Sequence, residues 1–256
     1  MIPIKSEHDL RIMRQSCAVA AAVLDKMCRF AKEGVSTYDL DMCAKSVMDE
    51  LGCRSACYRY KGDSSRYPGY ACISVNDEVI HGIGRKDRIL KSGDIVSMDV
   101  SVFYKGFVGD NTRTVMIGEC SPEVKKLVEA TGMALELGIS AAVAGNRVGD
   151  ISAAIQGYID ACGYGIVRDF TGHGVGRNMH EDPAIPNYGR AGTGPLLRAG
   201  MTLAIEPMIT MSRSADIFID EDGWTVRTSD GSPSCHIEHT VLVTDDKPEI
   251  LTVLAK

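Results

Sequence analysis

The sequence predicts an α+β fold of two similar halves closed around a shared cleft. Two observations carry this. Amphipathic helical stretches share the chain with short β-rich runs separated by glycine turns. One helical segment also recurs: GVSTYDLDMCAKSVMDELG, from Gly34 to Gly52, aligns without a gap on GNRVGDISAAIQGYIDACG, from Gly145 to Gly163. Asp39 falls on Asp150, Leu40 on Ile151 and Asp49 on Asp160. The tetrapeptide His81-Gly-Ile-Gly is echoed, in the same order, by His173-Gly-Val-Gly. A chain of 256 residues can fill one large domain. With no Pro/Ser-rich linker between the halves, the expectation is a single domain over 1–256, its halves about 1–117 and 118–256.

The elements follow in order. Ser6 opens a helix, with Asp9 three residues on as a near capping box, and Leu10, Met13, Cys17, Ala20, Leu24 and Met27 recur at helical spacing. A second helix starts after Ser36 and stops at Gly52. Ser121-Pro122-Glu123 opens a third, with proline at the first helical position. A fourth runs from about Gly149 to Gly163. Between them, Ile95 to Phe103 and Phe107 to Ile117 read as two strands of a hairpin.

Composition excludes several classes. Apolar residues make up 45% and charged residues 24%, and the net charge is −6, which speaks against a nucleic-acid surface. Two small basic patches, Arg59-Tyr60-Lys61 and Arg85-Lys86-Asp87-Arg88, read as solvated loops. No run approaches the roughly 18 apolar residues of a membrane span, and the N-terminus has no signal-peptide pattern. Nine cysteines without a C-x-x-C pair suggest neither zinc ribbon nor disulfide framework. They fit a reducing cytoplasm.

The chemistry lies in carboxylates and histidines within β-rich runs. A two-residue loop at Tyr104-Lys105 would set Asp99 opposite Asp110, and a slightly different loop would make them diagonal neighbours. Two such carboxylates repel unless a proton or cation intervenes. His173 and His180 share a Gly-rich loop, and that placement suits structure and chemistry alike. In MTLAIEPMIT, Glu206 alternates away from Met201, Leu203 and Ile205. In CHIEHTVLVT, Glu238 shares a strand face with His236 and Thr240. Charged residues in such runs are seldom buried unless paired or bound to a cation. Four carboxylates and one imidazole make a plausible site for two divalent ions, with Mn, Fe, Co or Zn all suited to the donors.

In this order, Asp99, Asp110, His173, Glu206 and Glu238 resemble the ligand set of the methionine aminopeptidases of peptidase family M24. The block Phe170-x-Gly-His-Gly-Val-Gly-x-x-x-His180-x-x-x-x-Ile185-x-Asn187-Tyr188 resembles the type I signature. So do Ser74-Val-Asn-Asp-Glu-Val-Ile-His81-Gly-Ile, Ile205-Glu-Pro-Met, Asp222-Gly-Trp and Glu238-His-Thr, and the likeness covers essentially the whole chain. It implies the pita-bread fold, two pseudo-twofold-related α+β halves around a central antiparallel sheet. It implies that Asp110 and Glu238 bridge two metal ions, that Asp99 completes one, and that His173 with Glu206 completes the other. Glu206 would also take the proton from the bridging water that attacks the scissile carbonyl. His180 would stabilise the tetrahedral intermediate and His81 would lie near the scissile amide. Cys57, Tyr60, Tyr67, Cys72, Met179 and Trp224 would line the methionine pocket. The resemblance further implies nascent polypeptide N-termini as partners, with a small second residue, met at the ribosome in the cytoplasm by a monomer. Peptidases of this fold that cleave beside proline usually carry an extra N-terminal domain, for which the chain has no length. Three positions depart from the usual pattern: the loop 61–66 is long, Met179 stands for a frequent aromatic residue, and His236 for a frequent glutamine.

Overall fold

A computed structural model of the chain describes residues 2–62 and 65–254. The ends of the predicted 1–256 span, and Asp63 and Ser64 of the long loop, lie outside the described residues. The chain begins with helices α1 (Glu7–Phe30) and α2 (Thr37–Leu51), followed by strands β1 (Arg54–Ser55), β2 (Cys72–Val75), β3 (Glu78–Ile80), β4 (Ile95–Tyr104) and β5 (Phe107–Met116). Helices α3 (Pro122–Ser140) and α4 (Val148–Cys162) come next. Then follow β6 (Gly165–Ile166), β7 (Gly172–Gly174), β8 (Glu181–Ile185), β9 (Thr202–Ile205), β10 (Met208–Thr210), β11 (Ile217–Ile219), β12 (Val226–Thr228), β13 (Ser234–His236), β14 (Glu238–Leu242) and β15 (Glu249–Ile250).

The predicted helix boundaries rest on their caps. Ser6 with Asp9, and Ser36 with Asp39, form reciprocal capping boxes. Ser121 caps α3 ahead of Pro122. The repeated helices end alike: α2 and α4 both stop at a left-handed glycine, Gly52 at φ 67° and Gly163 at φ 82°. At their starts Asp39 and Asp150 both reach back to the N-cap backbone, at Ser36 and Arg147. Each helix pair packs its own core. The first pair joins Val96, Met98, Val100 and Val102 of β4, and the second joins Leu203, Ile205 and Val241. The tetrapeptide echo does not extend to backbone shape. His81 sits in a left-handed turn at φ 59° after β3, whereas His173 lies within β7.

A nine-stranded antiparallel sheet runs β1-β4-β5-β14-β9-β7-β8, with β2 also pairing with β4 and β15 with β14. Its central hairpin corrects the predicted register. The turn is Lys105-Gly106, at φ 50° and 85°, so Tyr104 pairs with Phe107, Asp99 with Thr112, and Ser101 with Asp110. Both central residues of this turn type need positive φ, and Gly106 accepts it without cost, so the turn centres one residue later. Asp99 and Asp110 are therefore diagonal neighbours on one face.

Candidate active site

Opposed residues of an antiparallel sheet point to the same face, so the register alone gathers the site. Asp99 pairs with Thr112, and Thr112 with Glu238. One step beyond the His239–Ile205 pair, Glu206 continues that row. The adjacent row runs Ser101, Asp110, Thr240, Ala204, His173, with Asp110 and Thr240 joined by a hydrogen bond from the threonine hydroxyl. Five adjacent strands, β4, β5, β14, β9 and β7, thus supply the five predicted ligand positions on one face. The alternate residues of β4 face the helix-covered core. Glu206 itself follows the end of β9, because Pro207 interrupts the strand before β10 begins.

This face floors a cleft of about 300 Å³. Its floor carries Asp99, Asp110, His173, Glu206 and Glu238; its walls carry Cys57, Tyr60, Tyr67, Cys72, His81, Met179, His180 and Trp224. Ile80, Ser101, Phe170 and Thr171 also line it and were not predicted. Ser101 was legible as the residue two along the strand from Asp99. Its hydroxyl donates to Asp110 Oδ1 at 2.6 Å, as Thr112 donates to Glu238 Oε2 at 2.9 Å.

Asp110, His173 and Glu238 bring one donor atom each to within 4.8 Å of one another. His173 Nε2 is 3.4 Å from Glu206 Oε1 and 3.9 Å from Asp110 Oδ2. Its Nδ1 meets the Gly174 carbonyl at 2.9 Å, which fixes the tautomer and leaves the Nε2 lone pair facing the cluster. Burial lowers its pKa, so the imidazole is neutral, the form a metal requires. Burial pushes Asp110 up to about 6, against the Ser101 hydrogen bond. Burial and neighbouring carboxylates push Asp99, Glu206 and Glu238 well above the usual carboxylate range. Asp99 Oδ1 is buried with no hydrogen-bond partner. A cluster that cannot bear its own charge, with an orphaned oxygen and an aimed neutral imidazole, fits divalent cations.

The histidines differ in setting. Burial, with His180 nearby, lowers His81 to about 4, and its ring stands edge-on to Phe170 at 5.7 Å. His180 lies at the rim, its Nδ1 2.9 Å from the Tyr60 hydroxyl. His236 is buried behind Glu206, its Nε2 3.4 Å from Glu206 Oε2 and without a hydrogen-bond partner. Tyr67 stands edge-on to Trp224 at 5.3 Å and donates to the Gly82 carbonyl at 2.7 Å. The nine cysteines form no disulfide, and among the described residues no helix is long and apolar enough to cross a membrane.

A buried ion pair supports the rim. Lys5 Nζ meets Glu181 Oε2 at 2.7 Å, with side chains only 5% and 8% exposed, directly after His180. Glu181 Oε1 also accepts from the Asn178 backbone N–H at 3.2 Å. Removing the cation strands a buried carboxylate, so Lys5→Ala is expected to destabilise the protein by about 3–5 kcal/mol in urea denaturation. A loss under about 1 kcal/mol, the range of exposed pairs, would show that water replaces the lysine.

Comparison with known proteins shows the family and the fold. The model of metallopeptidase family M24 matches residues 11–245. The methionine aminopeptidase of Clostridium acetobutylicum is 44% identical, covering 99% of either chain. The crystal structure of methionine aminopeptidase from Thermotoga maritima matches with a TM-score of 0.95 at 41% identity, over 98% of this chain and 99% of that one. The prolidase of Pyrococcus horikoshii shares the fold, at a TM-score of 0.74 and 23% identity, over 99% of this chain and 64% of that one. With its carboxylate floor, its match to the family model over residues 11–245 and its near full-length match to methionine aminopeptidases at 41–44% identity, the chain belongs to metallopeptidase family M24, in the branch of the methionine aminopeptidases.

Proposed function

We propose that the protein is a methionyl aminopeptidase that removes the initiator methionine from nascent proteins and peptides with a small second residue. The observation that carries this reading is the meeting, in one cleft, of a crowded carboxylate floor with a wall of thiol, thioether and aromatic side chains. Cys57, Tyr67 and Cys72 form a buried apolar cluster against which Met179 and Trp224 pack. Such a surface suits an unbranched thioether side chain.

Asp99, Asp110, His173, Glu206 and Glu238 would together hold two divalent cations; Co, Mn, Fe and Zn all suit these donors. When bound, such a pair supplies Lewis acidity, which acidifies water and polarises a carbonyl. The side chains do the rest. Glu206, held above the usual carboxylate range, is suited to take up and return a proton at the floor of the cleft. The Tyr60 hydroxyl lies 2.9 Å from His180 Nδ1; as the donor in this contact it would leave Nε2–H free to hydrogen-bond a carbonyl oxygen as it gains charge. His81, neutral near pH 7, is suited to hydrogen-bond the scissile amide. The substrate class supports nascent chains at the ribosome as partners, met by a monomer in the cytoplasm.

Purified protein reconstituted with each candidate metal in turn is expected to release free methionine from Met-Ala-Ser and to leave Xaa-Pro peptides intact. Chelation is expected to stop the release. Cleavage of Xaa-Pro peptides with no release from Met-Ala-Ser would overturn the reading.

A further inference from the structure

The long loop carries a feature that neither the metal floor nor the predicted pocket explains. Its described residues fold back on themselves. Arg59 N–H donates to the Tyr67 carbonyl at 2.8 Å, Tyr67 N–H to the Tyr60 carbonyl at 3.0 Å, and Gly62 N–H to the Ser65 carbonyl at 3.0 Å. Lys61 and Arg66 form an antiparallel bridge. This turn lies against the indole of Trp224. A Cβ at Gly62 would sit 2.5 Å and 2.7 Å from two carbons of the indole's six-membered ring. Gly62 lies outside the left-handed region, so what the position demands is space. The Nε1–H of the same indole donates to Ser65 Oγ at 2.6 Å. The backbone of Trp224 is held separately, its N–H donating to Asp222 Oδ1 at 2.8 Å. The turn therefore fixes the ring rather than the chain that carries it.

We propose that Gly62 and Ser65 are specificity-determining residues: the turn is a clasp that holds the Trp224 indole as one wall of the side-chain pocket. The chemical class it selects, an unbranched thioether, rests on the aminopeptidase reading; the clasp itself does not. A clasped indole keeps its edge-on contact with Tyr67 and gives the pocket a fixed width. A released indole lets the wall move, which weakens binding of the methionine side chain and leaves the metal floor untouched.

Trp224 is the only tryptophan, so intrinsic emission reads the clasp directly. In Ser65→Ala, emission is expected to shift to the red, acrylamide quenching to rise, and KM for Met-Ala-Ser to rise about threefold, as for loss of one hydrogen bond. In Gly62→Ala, where the added methyl must displace the ring, KM is expected to rise about tenfold, with kcat within about twofold. Ser65→Thr, which keeps the hydroxyl, is expected to restore emission and KM. Unchanged emission and quenching in both alanine variants would overturn the proposal, as would a fall in kcat at constant KM. Emission is recorded without substrate. If the wild type leaves Met-Ala-Ser intact, the aminopeptidase reading fails on that arm alone, and emission still decides whether the clasp holds the indole.

Discussion

Asp110→Asn is expected to lose hydrolysis of Met-Ala-Ser by well over 100-fold, and at the same time to raise the melting temperature of the metal-free protein. The two effects have one cause. Asp110 faces the middle of the floor, within reach of His173 and Glu238 together, and its charge raises the pKa of Asp99, Glu206 and Glu238. Loss of a partner outside the ligand shell costs roughly 10–100-fold in affinity or activity, so loss of a carboxylate of the floor itself, the role proposed for Asp110, is expected to fall beyond that range. The neutral amide keeps the shape, and its oxygen can still accept from Ser101, so folding loses little packing. What disappears is repulsion among buried carboxylates, and the metal-free fold gains. Metal content by elemental analysis is expected to fall with activity. A variant that keeps bound metal and activity would remove Asp110 from the site, and a lower metal-free melting temperature would show that its carboxylate is stabilising.

The sequence revealed the residues of this floor more readily than their arrangement. Capping residues placed the first three helices, because Ser6, Ser36 and Ser121 satisfy backbone donors locally. The pairing of Asp99 with Asp110 was legible to within one step of register, and Gly106 held the missing information: a glycine able to take positive φ sets the centre of the turn. The row that joins Asp99 to Glu238 and Glu206 depends on β14 inserting between β5 and β9, an order that no local pattern encodes. His236 beside Glu206, Lys5 beside Glu181 and Gly62 against Trp224 join residues far apart in the chain. A lone histidine, lysine or glycine reads the same whether or not such a neighbour exists. The motif order supplied what periodicity lacked, since it carries tertiary pairing through family resemblance.

Above about pH 6.5 the metal-free protein is expected to lose stability as pH rises, for as long as its raised carboxylates still hold protons, and the metal-loaded protein is expected to hold or gain it. Asp99, Glu206 and Glu238 have folded-state pKa values raised by burial and then by neighbouring carboxylates, Asp110 first among them. The folded metal-free state therefore keeps protons that the unfolded chain has already released near pH 4. More protons bound to the folded state means that stability falls as pH rises, until the folded-state pKa values have been passed. Asp110, at about 6, has completed its part by pH 7. The histidines act in the opposite direction but lower down. His81 is lowered to about 4 and His236 to about 3, so the unfolded chain binds their protons first as pH falls below about 6.5. In the window above pH 7 the histidines have finished titrating, and only the buried thiols, raised by burial, begin to add to the same downward slope. Divalent cations replace the protons of those carboxylates, and binding that releases protons strengthens as pH rises; mass action then adds stability in proportion to occupancy. Thermal melts of chelated and reconstituted protein at several pH values in this window measure both slopes. Parallel slopes would mean that the four carboxylates do not share the metal, and that their crowding is relieved by protons alone.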